Sequence, residues 1–183
     1  MMGTGNELRE NTMSVEHIQN SVKDVIAYLN ENPKDALSND PAVTAVMEDG
    51  LRCRATGEGG ETIVTDMPQA IGGGGSAPSP GWLSRAALAT CDATRIALHA
   101  AQLGIKLDTL EVTTDSVSDD RGLLGLDKSV PAGPLSFRTR VTIGAAGVDE
   151  KTLREIVDFA VAHSPVADGC RRETPSKLEI TIA

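Results

Sequence analysis

A chain of 183 residues with a formal charge of −9 is long enough to form one domain around its own core without disulfide or metal staples. The acidic balance excludes a surface built to neutralise nucleic-acid phosphates or anionic lipid headgroups, since both need clustered Lys and Arg. Only Tyr28, Trp82, Phe137 and Phe159 are aromatic, which is too few for base-stacking platforms and leaves Ala, Val, Leu and Ile to fill the core.

The opening segment MMGTGNELRENTMS lacks the apolar run of a secretory signal, and no apolar stretch reaches membrane-spanning length, so a cytoplasmic protein without a membrane partner is expected. Ser14 then caps a predicted amphipathic helix to Asn30, with Val15, Ile18, Val22, Val25, Ile26 and Leu29 at helical spacing. Pro33 and the run SNDP around Pro41 set this helix apart, which divides the chain into an N-terminal extension, residues 1–40, and a main domain, residues 41–183. AVTAVME, LRCRATG and ETIVTDM follow, separated by Asp49-Gly50 and by GEGG, and predict an antiparallel meander. The run IGGGGSAPSPG is expected to hold little local order. Trp82 to Leu103 is a predicted long helix closed by Gly104. Two predicted strands, LDTLEVTTDSV and LSFRTRVTIGA, flank the loop DDRGLLGLDKSVPAG. A helix from Asp149 to His163 and a closing strand, KLEITIA, complete an α+β pattern with mostly antiparallel pairing.

On a helical wheel Trp82–Leu103 has one narrow polar arc of Arg85, Asp92, Arg95, His99 and Gln102, with Ala, Leu, Ile, Thr and Cys elsewhere. So apolar a helix belongs at the centre of a fold, and its alanines let another backbone approach closely. Cys91 sits at the edge of the arc with Arg95 one turn on, and a cation there favours the thiolate, the nucleophilic form. A small buried thiol, with Arg95 paired to Asp92, fits the same pattern. Cys53, Cys91 and Cys170 have neither disulfide-framework nor zinc spacing, and Cys53 alternates inward in its strand. Gly72, Gly74 and Ala77 match a dinucleotide fingerprint only formally, because Pro78 and Pro80 follow at once. His17, His99 and His163 share no ligand spacing, and no metal or organic cofactor is expected.

The segment GGGGSAPSPGWLSRAALATCDATRIALHAAQLGIKLDTLEV resembles the centre of the OsmC/Ohr family, with Pro80 and Cys91 eleven residues apart as in its signature, and HSPVADG stands where the family has Cys-Pro-Val. The hairpin GLRCRATGEGGETIVTD resembles the family's N-terminal strands. The resemblance implies an OsmC-like fold, with an antiparallel sheet wrapped on a central Ala-rich helix in an intertwined homodimer. It also implies a thiol-dependent redox protein that reduces organic hydroperoxides or hydrogen peroxide in oxidative-stress defence, with a thiol or dithiol reductant as second substrate. Carried over by position, Cys91 is the attacking thiol, and Arg95, one turn on in the helix, is by its spacing the supporting cation. Ser164 stands at the resolving position, where a hydroxyl cannot form a disulfide, and Cys170 is the alternative resolving thiol. Gly81 replaces the family Glu, and Arg52 or Arg54 stands near the position of its hairpin Arg. The competing expectation is a non-enzymatic binding or structural dimer that has kept the fold and lost the peroxidase site.

Overall fold

The computed structural model describes residues 14–182, so the beginning of the expected extension lies outside the described residues. Helix α1, Val15–Glu31, starts at Ser14, whose hydroxyl accepts the His17 backbone N–H at 3.1 Å. Val15, Ile18 and Val22 are half-buried where α1 lies on the central helix, and Gln19 Nε2 donates to the Gln102 carbonyl at 2.9 Å. Farther along the same stripe Val25 and Ile26 are exposed.

Strands β1 (Val43–Asp49), β2 (Arg52–Gly57) and β3 (Thr62–Thr65) form the expected antiparallel meander in that order. All seven residues of β1 are exposed, whereas Cys53, Ala55 and Gly57 of β2 alternate half-buried with exposed Arg54 and Thr56. The central helix α2 spans Pro80–Gln102 and begins two residues before the predicted start. Ser79 caps it by accepting the Trp82 N–H at 3.2 Å, and Pro80 fits the first turn because that position needs no N–H partner.

Strands β4 (Thr109–Val117) and β5 (Ser136–Gly144) pair antiparallel from Thr109 opposite Gly144 to Val117 opposite Ser136. The loop between them contains a short helix α3, Asp120–Leu123, that the sequence reading left irregular. Helix α4, Glu150–Ala162, follows its Asp149 cap as expected. The two sheets stay separate, and it is the β4–β5 pair that packs on α2. The core lies at that junction, where Ile96 and Ala100 of α2 meet Ile156 and Ala160 of α4, surrounded by Leu110, Val112, Val141 and Ile143 from the strands.

The C-terminal region differs from the prediction. Pro165 starts helix α5, Pro165–Arg171, where no helix was predicted, because proline is favoured at a first helical position. KLEITIA is not a strand: residues 173–182 are unpaired, and Leu178, Ile180 and Ile182 are 83%, 73% and 88% exposed. Its alternating pattern suits an edge that this single chain does not bring to it.

The glycine run is ordered, contrary to its composition. Gly73 N–H donates to the Pro68 carbonyl and Gly75 N–H to the Met67 carbonyl, at 3.1 and 3.0 Å. Gly72 turns the chain at φ +88°, and a Cβ on Gly73 would stand 1.9 Å from the Met67 carbonyl oxygen. Gly73→Ala should therefore destabilise the fold by about 1–3 kcal/mol through forced backbone displacement. Urea denaturation checks this, and unchanged stability would show that the loop packs less closely than described.

Candidate functional site

The loop entering α2 is organised by Asp66, which is 2% exposed. Its carboxylate accepts the backbone N–H groups of Met67, Ser76 and Gly74 at 2.8, 2.9 and 3.3 Å and the Ser76 hydroxyl at 2.8 Å. The Ser76 donors, backbone first and then side chain, outweigh desolvation and hold the Asp66 pKa down at about 2. Ser76 Oγ also accepts from Arg52 Nη1 at 2.6 Å, so the β2 hairpin is joined to the loop through one hydroxyl. Arg52 and Arg54 both pair with Glu48, at 2.9 and 2.5 Å. Neither guanidinium hydrogen-bonds Cys91.

Downstream of this loop, the buried residues of α2 are Leu88, Asp92, Ile96, Ala100 and Ala101, an i, i+4 stripe turned toward the body of the chain. The polar arc is thus partly internal: Asp92 is 1% exposed, and Arg85, Arg95 and His99 are half-buried. Trp82, Thr90, Thr94 and Ala97, on the apolar and small-residue side, are instead exposed. His99 stacks on Phe159 of α4, and Phe159 on His163, with ring centroids 4.0 and 4.2 Å apart. These histidines brace the α2–α4 contact.

Cys91 is half-buried on α2, and Ser164 is fully buried where α4 gives way to α5. The Ser164 hydroxyl donates to Cys91 Sγ at 3.2 Å. Ser164 is the N-cap residue of α5, yet its side chain makes no capping hydrogen bond; its proton goes to sulfur instead. The structure therefore brings together two of the four expected site residues. Arg95 makes no hydrogen bond to Cys91, and its buried Nε finds no partner; the alternative Arg95–Asp92 pair is also unformed, since Asp92 Oδ1 is equally unpartnered. Cys170 is exposed on α5 six positions beyond Ser164, about 240° around a helix.

Chemically, a half-buried thiol beside a hydroxyl donor can act as a nucleophile whose negative charge is met by a hydrogen bond. Asp66 is the participant that sequence reasoning missed. An acidic residue in the strand end that leads into a glycine-rich run was a usable signal, because clustered turn N–H groups need an acceptor.

The sequence model of the family described as OsmC-like protein matches residues 73–179 of this chain. No curated protein matches. Among solved structures, the chain is similar to an OsmC-like protein from Mycoplasma pneumoniae, with a TM-score of 0.62, 16% identity, and 74% of this chain and 89% of that one covered. A Psychrobacter arcticus protein named for an osmotic stress induced and detoxification response gives a TM-score of 0.58 at 22% identity, covering 72% and 89%. An organic hydroperoxide resistance protein OsmC from Legionella pneumophila gives 0.51 at 20% identity, covering 73% and 92%. At these identities the likeness shows a shared fold, which is the α+β fold with antiparallel sheets expected from sequence.

The Asp66 cage carries a pH signature. Its folded pKa of about 2 lies below the value near 3.9 of an unfolded aspartate, so ionisation favours the folded chain. That contribution is complete above roughly pH 5 and fades as the pH falls through about 4 toward 2. Asp66→Asn should lower stability at neutral pH, and its deficit relative to the parent should shrink in urea titrations at lower pH. A deficit independent of pH would show that the loop does not depend on the charge.

Proposed function

Because the chain belongs to the OsmC-like protein family, we propose that it is a cysteine-dependent hydroperoxide reductase acting through Cys91. The observation that carries this reading is the Ser164 hydroxyl held 3.2 Å from Cys91 Sγ, since it places a hydrogen-bond donor on the one cysteine at the family's reactive position. The Legionella pneumophila neighbour is named for organic hydroperoxide resistance, which supports the substrate class.

In the proposed step the Cys91 thiolate attacks the terminal oxygen of a hydroperoxide. The O–O bond breaks as the S–O bond forms, sulfur loses two electrons, and the alkoxide leaves to be protonated as an alcohol. The sulfenic acid then condenses with an external thiol, releasing water, and a second thiol reduces the mixed disulfide to regenerate Cys91. An external donor fits better than an internal one, since Ser164 has no sulfur and Cys170 stands on another face of α5. Neither a metal nor an organic cofactor enters this cycle. Persistently free thiols suit a cytoplasmic setting, and among the described residues no helix is long and apolar enough to cross a membrane.

The acting unit in this proposal is a homodimer. Among the described residues a single chain buries only seven apolar side chains, while Trp82 on α2, β1 and Leu178, Ile180 and Ile182 stay exposed. The first 40 residues are proposed as an extension, with α1 packed on the C-terminal half of α2.

Light scattering at micromolar concentration should give twice the chain mass; a monomer would remove the dimer proposal. Stoichiometric organic hydroperoxide should oxidise Cys91 before Cys53 or Cys170, read by mass spectrometry of trapped thiols, and Cys91→Ser should abolish peroxide consumption. Ser164→Cys should yield a disulfide between positions 91 and 164, because the side chains already meet. Oxidation of the other thiols with Cys91 left reduced would favour the binding dimer instead.

A further inference from the structure

A single chain leaves a large area bare. It exposes 14037 Å², whereas a compact monomer of 19.1 kDa exposes about 8,400 Å². The residues outside 14–182, even with every atom accessible, account for at most about 2,200 Å² of that difference. What remains is on the scale of an obligate subunit interface.

One face of α2 is patterned for such an interface. Trp82, Ala86, Thr90, Ala93, Ala97 and Ala101 fall within about 100° of one another around the helix. Trp82, Thr90 and Ala97 are exposed, and Ala86 and Ala93 are half-buried. The spacings along this face, 4, 4, 3, 4 and 4, read the same from either end. A second copy laid antiparallel on it about a two-fold axis therefore sets Thr90 opposite Ala93, Ala86 opposite Ala97 and Trp82 opposite Ala101. Small side chains in the middle let the two helices approach, and the one large side chain arrives at the far end of its neighbour. Trp82 and Ala101 of the same chain stand about 28 Å apart along the axis, so one chain alone does not bring them together.

At that far end an open cavity of about 650 Å³ lies between α1 and the end of α2. Val15 and Ile18 of α1, Ala97 and Ala101 of α2, and Ile105 and Leu107 beyond it form apolar walls. Exposed Ser14 and Lys106 complete the lining. Ala97 is exposed and Val15, Ile18, Ile105 and Leu107 are half-buried, so the space is reached from outside. An indole suits both parts of this lining, since its ring packs on the apolar walls while its N–H and π-face meet the hydroxyl and the ammonium.

We propose that α1 is a dimerisation element and that this cavity is the seat of Trp82 of the second copy, each chain giving one indole and receiving one. An aromatic anchor in a pocket is where the binding energy of an interface concentrates. The assignment rests on the homodimer reading and gives the N-terminal helix its part in it, because without α1 the cavity loses a wall.

Trp82 is the chain's one tryptophan, so its emission reports the seat directly. In the full chain, acrylamide should quench Trp82 at least about threefold less efficiently at micromolar concentration, where light scattering reads a dimer, than after dilution to monomer. Trp82→Ala should raise the dimer dissociation constant at least about tenfold. A nitroxide on Lys106→Cys in a Trp82→Phe chain should quench the emission of parent chains allowed to exchange with it. That quenching should exceed the effect of a Trp82→Phe chain put through the same labelling, because Trp82 and position 106 meet only across the two-fold. A dimer whose Trp82 is quenched as readily as the monomer's, an unchanged dissociation constant for Trp82→Ala, or no added quenching from position 106 would each overturn the seat and leave the dimer standing. A parent chain that stays monomeric at micromolar concentration would remove the dimer and the seat with it. Should Trp82→Ala fail to fold, the quenching measurements decide.

Discussion

The contact between α2 and α4, made where Ala100 and Ala160 let the two helices approach, fixes the core of the molecule. Ile96 and Ile156 fill the space beside these alanines, and the His99–Phe159–His163 stack continues the contact toward the helix ends. With α4 fixed against α2, the chain leaving α4 enters α5, which also packs on α2. Ser164 is delivered to the sulfur at that junction. The hydrogen bond to Cys91 is thus a product of helix packing, and disruption of the Ile96–Ile156 core would reach the thiol without touching it.

A second constraint acts from the other end of α2. The Asp66 carboxylate gathers N–H groups from both sides of the glycine run, and Ser76 passes the connection to Arg52 in the hairpin. The start of α2 is therefore anchored to a strand pair that otherwise makes little contact with the helix. Removing the loop's order would release the hairpin and the first turn of α2 together, because one hydroxyl serves both carboxylate and guanidinium. The exposed pairs of Asp115 with Arg138 and Arg140 on the β4–β5 hairpin hold no such junction, and solvent leaves them with little influence on the fold.

The elements that owe their form to local chemistry were legible in the sequence. Caps at Ser14 and Asp149, the periodicity of α1 and α4, and the alternation of β2 and β5 all rest on neighbours a few residues away. The pairing of positions 91 and 164, remote in sequence, was legible for another reason, the family resemblance. What stayed hidden depended on distant partners. Composition marked the glycine run as irregular because the acceptor that orders it, Asp66, lies outside the run. The wheel of α2 could show a polar arc but not that Asp92 within it faces the interior, since α5 and β5 are remote in sequence. KLEITIA has the alternation of a strand, yet alternation states only that two faces differ; pairing needs an available edge, and one chain does not bring it one.

The glycine run has a further implication for how this protein can drift in sequence. Gly72 is required for a backbone angle and Gly73 for a carbonyl in close contact, while the Gly74 N–H answers a carboxylate eight positions earlier. Neighbouring glycines that look interchangeable thus satisfy different demands. In a tether, one added or lost glycine alters only its reach. Here a change of one would hand each remaining glycine its neighbour's task, so the segment tolerates variation of length far less than its repetitive spelling suggests.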